Sequence, residues 1–204
     1  MTEAFDPGAL AMLERGGVVA AATETLFGFL ADATRRDALD RLFLLKPRGH
    51  EKGVPLLVPD FDSWRGLVGE LPVTAERLAR AFWPGPLTIA LAAGAAVDPR
   101  LALDGSVAVR MPGASIAADL VRAFGRPLTA TSANRPGAPP AAEAAQVRAA
   151  FAAELASGEL HLAGTRAPGG APSTVVVVAG EQWRVVRLGA VSLESLESVL
   201  GRPR

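Results

Sequence analysis

Cysteine and tyrosine are both absent from this sequence of 204 residues. Without cysteine the chain has no disulfide, no thiolate nucleophile and no cysteine-ligated metal site. The two histidines, His50 and His161, are far apart and unaccompanied, which argues against a histidine-based metal site. Lysine and arginine number 21, and so do aspartate and glutamate. The resulting net charge of zero predicts no general attraction to nucleic acid or to an acidic membrane surface.

Long apolar runs and the common nucleotide-binding motifs are also missing. No apolar run approaches the length of a membrane span, and the N-terminus has no cationic region followed by an apolar one. We therefore expect a cytoplasmic protein with no membrane partner. No Gly-x-Gly-x-x-Gly follows the first predicted strand, and no loop ends in Gly-Lys-Ser/Thr, so the usual dinucleotide-binding and NTPase patterns are excluded.

The apolar patterns that are present predict alternating strands and helices. The predicted helices span residues 7–15, 35–45, 63–68, 74–82, 116–124, 141–156 and 193–200, and the predicted strands span 18–22, 54–58, 87–92, 107–109, 128–130, 175–178 and 183–188. Because the elements interleave and the last third is rich in strands, we predict an α/β fold. It would have a twisted, mixed parallel and antiparallel sheet flanked by helices, in a single domain over residues 1–204.

Both lysines of the chain lie in one short loop, residues 46–52, between a predicted helix and a predicted strand. Lys46, Arg48 and Lys52 give this loop three cations, and Pro47 and Gly49 turn the chain. Arginine can bind a pair of anionic oxygens and lysine acts as a point charge, so the loop suits a polyphosphate. The alternative is a solvated loop whose cations merely favour the preceding helix C-terminus.

Polar residues also gather where other predicted strands end or begin. Segments 23–25 and 131–134 carry hydroxyl and amide groups at strand ends, where α/β sheets commonly place ligand contacts. Arg110 ends an apolar strand, so it faces either a carboxylate in a structural ion pair or an anionic ligand. The segment 83–86 is either a rigid turn over a packed aromatic ring or part of the chemistry. The loop 164–172 is a candidate for closing over a bound ligand.

Seven short segments together match a known family in order and approximate spacing. They are Thr23-Glu24-Thr25-Leu26-Phe27-Gly28, Lys46-x-Arg48, Phe82-Trp83-Pro84-Gly85-Pro86-Leu87-Thr88, Val109-Arg110-Met111-Pro112, Thr131-Ser132-Ala133-Asn134, Ser173-Thr174-Val175-Val176 and Arg187-x-Gly189-Ala190. With these segments the chain resembles the YrdC/TsaC family, the threonylcarbamoyl-AMP synthases, in its single-domain form, over roughly residues 8–192.

The resemblance implies a fold around an open cationic cavity and a set of site residues. It implies ATP binding by Lys46, Arg48, Lys52, Ser106, Ser132, Asn134 and Arg187, and threonine binding by Thr23, Thr25 and Arg110. Of these, Arg48, Lys46 and Ser132 would be catalytic. Magnesium would arrive with ATP and would not be held by side chains.

The implied reaction condenses L-threonine, bicarbonate and ATP into threonylcarbamoyl-AMP and pyrophosphate. Its implied partners are a downstream threonylcarbamoyl transferase and, by direct contact, tRNA or double-stranded RNA. Two alternatives stay open. One is a diverged paralogue that adenylates another carbamate, and the other is a non-catalytic RNA-binding protein that uses the same groove.

The sequence departs from the family pattern at several places. Two extra residues follow Arg48, and Pro59 stands where some members have a histidine for threonine. Ala22, Phe27, Val177 and Leu188 stand where the family usually has proline, tyrosine, aspartate and proline. Since Ala22 and Phe27 flank the 23–25 segment, we expect their changes to bear on substrate identity more than on nucleotide binding.

Overall fold

The computed structural model describes residues 5–47 and 53–201, and within these ranges helices and strands interleave. The helices are α1 (Pro7–Glu14), α2 (Arg36–Leu45), α3 (Phe61–Leu67), α4 (Val73–Phe82), α5 (Ile116–Phe124), α6 (Ala144–Ala150), α7 (Ala152–Ser157) and α8 (Leu193–Leu200), with a short 3-10 helix at Pro99–Leu101. The strands are β1 (Val18–Ala22), β2 (Phe27–Leu30), β3 (Leu56–Leu57), β4 (Leu87–Ala92), β5 (Ser106–Arg110), β6 (Leu128–Thr129), β7 (Thr131–Ser132), β8 (Leu160–Ala163), β9 (Thr174–Ala179) and β10 (Gln182–Arg187). None of the helices in these ranges has the length and hydropathy needed to cross a bilayer.

The strands form two mixed sheets. The four-stranded sheet has the order β7-β2-β1-β8, and the six-stranded sheet has the order β10-β9-β4-β5-β3-β6. In the first, β1 runs antiparallel to β2 and parallel to β8. In the second, β4 runs antiparallel to β5 and parallel to β9. The predicted mixed α/β class is confirmed, but the sequence indicated one sheet and the structure has two.

The sequence did not indicate a separate four-stranded sheet, because three of its four strands carry weak signals. Strand β7 has only two residues, and β2 is interrupted by Gly28, a residue that is normally unfavourable in strand interiors. Strand β8 has four residues, and its burial alternates less clearly than that of a half-buried strand. All three strands are held by pairing with residues distant in sequence, which a local pattern does not reveal.

Two predicted elements have different bounds in the structure. The helix predicted over 141–156 is two helices, α6 and α7, with a break at Phe151, whose backbone leaves the helical region. The Phe151 ring is fully buried and meets the Phe29 ring edge-on at 5.0 Å between centroids. The strand predicted over 54–58 is reduced to β3, because Pro55 has no N–H group to donate to the ladder.

Three apolar clusters hold the layers together. The largest packs one face of the six-stranded sheet against α3, α4 and α8 and contains Trp64, Trp83 and Trp183. The second packs the four-stranded sheet against α2 and α6. The third takes residues from both sheets and from α1 and α5. That residues 1–204 form a single domain stays a prediction, and the shared third cluster is in keeping with it.

The other face of the six-stranded sheet is lined by small and half-exposed residues. Val107 and Val109 of β5 point into the largest cluster, so Ser106, Ala108 and Arg110 lie on the opposite face. On β9, which pairs with the other side of β4, Val175 and Val177 are half-buried while Val176 and Val178 are buried. This face, defined by alternate residues of β4, β5 and β9, is called the open face below.

Thr129 of β6 connects the six-stranded sheet to the four-stranded one. Its side chain is fully buried, and its hydroxyl accepts from the Ala31 N–H at 2.9 Å and donates to the Phe29 carbonyl at 3.1 Å. Its backbone N–H also donates to the Ala31 carbonyl at 2.9 Å. A single threonine therefore binds backbone groups of Phe29 in β2 and of Ala31 just after it.

We expect Thr129→Val to destabilise the protein by about 1–3 kcal/mol, because the buried Ala31 N–H loses its acceptor while the side-chain volume is kept. Urea unfolding measures the change. Thr74→Val on α4 is the matched control, since no hydrogen bond of the Thr74 hydroxyl is found among the described residues, and it should change the free energy of unfolding by less than about 0.5 kcal/mol. Equal effects of the two substitutions would contradict the role given to Thr129.

Candidate functional site

Lys46 joins two of the polar segments that lie far apart in the sequence. It follows the last residue of α2, and its ammonium donates to the Ser132 hydroxyl at 2.8 Å and to the Asn134 side-chain oxygen at 2.8 Å. It also donates to the Ser132 carbonyl. The side chain is almost fully buried, so its charge is concentrated at the 131–134 segment.

The orientation of Asn134 is fixed by the turn that follows it. Its amide nitrogen donates to the carbonyls of Arg135 and Ala138. Because both donors are used there, the side-chain oxygen is the group left to face Lys46. The structure thus brings together the sequence-predicted residues Lys46, Ser132 and Asn134.

A second group of hydroxyls lies in the loop between β1 and β2. The Thr23 hydroxyl donates to the Leu26 carbonyl at 2.7 Å and accepts from the backbone N–H groups of Thr25 and Leu26 at 3.1 and 3.2 Å. The hydroxyls of Thr23 and Thr25 are 3.1 Å apart. The Gly169 N–H donates to the Thr25 carbonyl at 2.8 Å, which places the 164–172 loop against this segment.

The two groups are connected through Gly28 of β2. Gly28 pairs with Ser132 in the four-stranded sheet. A Cβ at this position would lie 3.5 Å from the Thr131 carbonyl oxygen and 3.7 Å from the Thr23 side-chain methyl. Gly28 therefore lies between the 23–25 segment and the 131–134 segment and is close to both.

Arg110 forms a buried ion pair with Glu24. Arg110 ends β5 and its Nη1 donates to Glu24 Oε1, with the two side chains 8% and 14% exposed. Burial lowers the pKa of the Arg110 guanidinium, and the Glu24 carboxylate acts in the opposite direction. The other carboxylate oxygen, Oε2, is buried and accepts no hydrogen bond from the described residues. Of the two interpretations of Arg110, the ion pair with a carboxylate is present.

Arg187, at the end of β10, has no carboxylate partner among the described residues. It donates to the Ser173 carbonyl at 2.8 and 3.2 Å and to the Ser173 hydroxyl at 3.2 Å. That hydroxyl accepts from Thr88 at 2.9 Å. Partial burial lowers the pKa of the Arg187 guanidinium, and its positive charge also lowers the pKa of Arg110. Of these two neighbouring guanidinium groups only Arg110 pairs with a carboxylate among the described residues, an arrangement that favours an added anion.

Gly189 allows the chain after Arg187 to pass close to the end of the 164–172 loop. A Cβ on Gly189 would overlap the carbonyl of Pro172. The Gly189 N–H donates to the Thr174 hydroxyl at 2.9 Å, and the Ala190 N–H donates to the Pro172 carbonyl at 2.9 Å. The glycine of the Arg187-x-Gly189 motif is explained by this close approach.

The segment 83–86 is a structural corner. The Trp83–Pro84 peptide is cis, and the buried Trp83 indole N–H donates to the Leu87 carbonyl at 2.6 Å. The Gly85 N–H donates to the Met111 carbonyl just after β5 at 3.0 Å. The corner therefore holds the end of β5, where Arg110 lies, and the turn interpretation of this segment agrees with its contacts.

The roles predicted for Ser106, Arg48 and Lys52 are not tested by the contacts described above. Ser106 lies on the open face with Arg110, but four residues earlier on β5, which corresponds to about 13 Å along a strand. Its role in ATP binding stays a prediction. Arg48 and Lys52 lie outside the described residues, so the roles predicted for them stay predictions. The open cationic cavity also stays a prediction.

Glu24, Thr88 and Ser173 complete the site, and the sequence assigned no role to any of them. Glu24 stands between the two threonines of its motif, and Arg110 was expected to face either a carboxylate or an anionic ligand. A search for the carboxylate partner of Arg110 among strand-end residues would have singled it out. Thr88 and Ser173 gave no such signal, because their contact depends on the pairing of β4 with β9.

The structure separates the departures from the family pattern into buried and surface positions. Ala22 and Phe27 are 4% and 1% exposed and both belong to the apolar cluster under α2 and α6. Their side chains pack in the core, so the missing proline and phenol do not remove a group from the site described here. Val177 is half-buried on the open face, and Leu188 is exposed.

These elements define a mixed α/β protein with an arginine-bearing polar site where strand ends of two sheets meet. A family model described as "Telomere recombination", for Sua5, YciO and YrdC proteins, matches residues 11–189. The chain belongs to this Sua5/YciO/YrdC family, and the resemblance stated from its motifs is confirmed.

Relatives and a solved structure show how far the similarity extends. The chain is 35% identical over 198 residues to "Threonylcarbamoyl-AMP synthase" of Pyrococcus abyssi, covering 96% of this chain and 57% of that protein. It is 34% identical to "Putative threonylcarbamoyl-AMP synthase" of Mycobacterium tuberculosis (strain H37Rv), covering 98% and 96%. The crystal structure of P. abyssi Sua5 complexed with L-threonine matches with a TM-score of 0.87 at 33% identity, over 96% of this chain and 57% of that one.

The Arg110–Glu24 pair predicts a measurable coupling. We expect Arg110→Met alone to destabilise the protein by about 3–5 kcal/mol, because it leaves the Glu24 carboxylate buried without its counter-charge. Adding Glu24→Gln should recover much of that loss, since no buried charge then remains unpaired. Urea unfolding of both single variants and the double variant measures the coupling energy. Strictly additive effects would contradict the pair as the stabilising unit.

Proposed function

We propose that this chain is a threonylcarbamoyl-AMP synthase, which condenses L-threonine, bicarbonate and ATP into threonylcarbamoyl-AMP and pyrophosphate. The observation that carries the proposal is the convergence of the separated motifs on one arginine-bearing site. Lys46 binds the 131–134 segment, and Arg110 pairs with the residue between Thr23 and Thr25. The names of the relatives and the threonine-bound neighbour support the same reaction.

The roles of the residues follow from their charges. Arg110 and Thr25 would seat threonine, with Thr23 holding Thr25 in place and Arg110 binding the carboxylate. Lys46, Ser132 and Asn134 would contact the nucleotide, where a phosphate oxygen would replace one acceptor of the lysine. Arg187, which has no described carboxylate partner, supplies a further positive charge for the phosphates.

The remaining ATP contacts are proposed from the family motifs. Arg48 and Lys52 would neutralise the phosphates, with Arg48 catalytic beside Lys46 and Ser132, and Ser106 would contact the nucleotide farther along the open face. Magnesium would be carried by the phosphate oxygens. Among the described residues no cluster of three or more acidic or histidine side chains suits a bound metal, and the donors of Lys46 and Arg187 suit anions.

The chemistry needs positioning and charge neutralisation and does not need a protein nucleophile. The threonine amine attacks the carbon of bicarbonate and water is lost, which gives a carbamate. A carbamate oxygen then attacks the α-phosphorus of ATP, and pyrophosphate leaves. Cations beside the phosphates stabilise the charge that develops in the second step. The absence of cysteine from the sequence is compatible with this route.

The product would serve a downstream threonylcarbamoyl transferase that modifies tRNA in the cytoplasm, and direct contact with tRNA or double-stranded RNA is part of the proposal. The product is an activated mixed anhydride, so a class of enzyme that transfers the threonylcarbamoyl group must consume it.

Pyrophosphate release tests the reaction. We expect release from ATP and magnesium to require both L-threonine and bicarbonate. Arg48→Ala should lower the rate by about 100- to 1,000-fold, the usual effect of removing one group that stabilises transition-state charge. Arg110→Ala, assayed where the variant is folded, should need a higher threonine concentration for half-maximal release, because it removes the partner of the threonine carboxylate. Arg122→Ala is the matched control, because Arg122 is exposed and pairs with Asp119 on α5, so its rate should be unchanged.

Other outcomes distinguish the alternatives. Release that does not depend on threonine would replace the proposal with adenylation of another carbamate. No release, together with no rise in melting temperature on adding ATP, would leave RNA binding, with an affinity that falls steeply with salt.

ATP binding has a separate readout in thermal stability. We expect magnesium and ATP to raise the melting temperature of the unmodified protein, since a ligand that binds only the folded state stabilises it. Lys46→Met should abolish most of this rise because it removes the charge at the 131–134 segment. Arg122→Met should keep it. A full rise in the Lys46→Met variant would remove Lys46 from the nucleotide site.

A further inference from the structure

Half of the Glu24 carboxylate has no hydrogen-bond donor. Its Oε1 binds Arg110, whereas Oε2 is buried and accepts nothing from the described residues. A buried polar atom left in this way costs on the order of 1–3 kcal/mol, and more when it is charged. Such groups are rare in folded proteins and call for an explanation. The arrangement leaves Glu24 with an acceptor for a donor that the described part of the chain does not supply.

Arg110, in contrast, has more N–H donors than its described contacts use. A guanidinium group has five N–H donors, and among the described residues Arg110 uses one of them, toward Glu24. Its planar arrangement of donors suits a carboxylate bound by two parallel hydrogen bonds. Arg110 can therefore hold a substrate carboxylate while it remains paired with Glu24.

The Thr25 hydroxyl offers a further acceptor in the same segment. The Thr23 hydroxyl donates its proton to the Leu26 carbonyl at 2.7 Å and accepts from the backbone N–H groups of Thr25 and Leu26. Because the acceptor capacity of Thr23 is used in this way, the contact of 3.1 Å between the two hydroxyls does not fix the direction of the Thr25 proton. The Thr25 oxygen can accept from an ammonium or hydroxyl donor of a ligand.

We propose that Glu24 binds the α-ammonium group of the amino-acid substrate, with the Thr25 hydroxyl as a second acceptor and Arg110 as the partner of the α-carboxylate. The inference rests on the proposed function and adds a specificity determinant to it. A donor-rich cation beside two acceptors matches a zwitterion whose ammonium and carboxylate groups are attached to the same carbon. A carboxylic acid without the amine would fill only the Arg110 half.

The 164–172 loop lies against the residue after Glu24 in the free protein. The Gly169 N–H is bonded to the Thr25 carbonyl at 2.8 Å, and Glu24 Oε2 is closed to solvent. The substrate ammonium reaches Oε2 when the Glu24 carboxylate turns. Binding of the zwitterion would then supply the donor that Oε2 lacks.

The test compares two ligands on one variant. Glu24→Gln keeps the shape of the side chain and removes its charge. The ligands are L-threonine and (R)-3-hydroxybutanoate, which is threonine without the amino group, and titration calorimetry measures both dissociation constants. We expect the variant to bind L-threonine at least 10-fold more weakly and to bind the hydroxy acid as well as or better than the unmodified protein, because Arg110 is no longer partly neutralised.

A merely structural role for Glu24 gives a different pattern. If the substitution only misplaced Arg110, both ligands would lose affinity together, and this result would overturn the proposal. Unchanged binding of L-threonine would also overturn it. Glu24→Asp, which keeps the charge, should retain more affinity for L-threonine than Glu24→Gln does. Glu76→Gln is the matched control, because Glu76 pairs with Arg65 in another ion pair of the fold.

The same experiment separates this inference from the proposed function. If the unmodified protein binds L-threonine and the Glu24→Gln variant binds it equally well, the synthase proposal stands and the role of Glu24 falls. If the unmodified protein binds no L-threonine in the presence of magnesium and ATP, both fall together.

Discussion

The buried ion pair between Arg110 and Glu24 is the contact on which the arrangement of the site depends. Glu24 lies in the loop after β1 of the four-stranded sheet, and Arg110 ends β5 of the six-stranded sheet, so the pair joins strand ends of both. Taking either charge out of water is costly, and the cost is offset only while the partner is present. The pair therefore fixes the two strand ends relative to each other and places a guanidinium group against the residue between Thr23 and Thr25.

Among the described residues, Arg110 and Arg187 together carry more positive charge than Glu24 neutralises. Arg187 lies close enough to Arg110 to lower its pKa, and its hydrogen bonds go to Ser173, which is a neutral residue. Lys46 adds a buried donor at Ser132 and Asn134. A guanidinium group held by neutral acceptors is stabilised further when an anion binds. This property links the polar strand ends to substrates that carry carboxylate and phosphate groups.

The positions of the departing residues in the fold change how the departures from the family pattern are interpreted. Ala22 and Phe27 adjoin the 23–25 segment in sequence, which made them candidates for altering the substrate. Alternate residues of a strand point to opposite faces, however, and both side chains belong to the apolar cluster beneath the sheet. Proximity in sequence was a poor guide to proximity at the site. Val177, which is distant in sequence, lies half-buried on the open face, the face that also carries Arg110.

The sequence alone determined the long helices, the strands with continuous apolar runs, the mixed α/β class and the family, because these depend on local periodicity and on motif residues in register. It also indicated that Arg110 needs an anionic partner, since burying a lone guanidinium is costly. Only the tertiary structure decided that the strands form two sheets, that Glu24 is that partner, and that Lys46 meets Ser132 and Asn134. Short strands such as β7 and contacts such as that of Thr88 with Ser173 exist only through pairing between distant segments. Their free energy comes from long-range contacts, which no local pattern in the chain records.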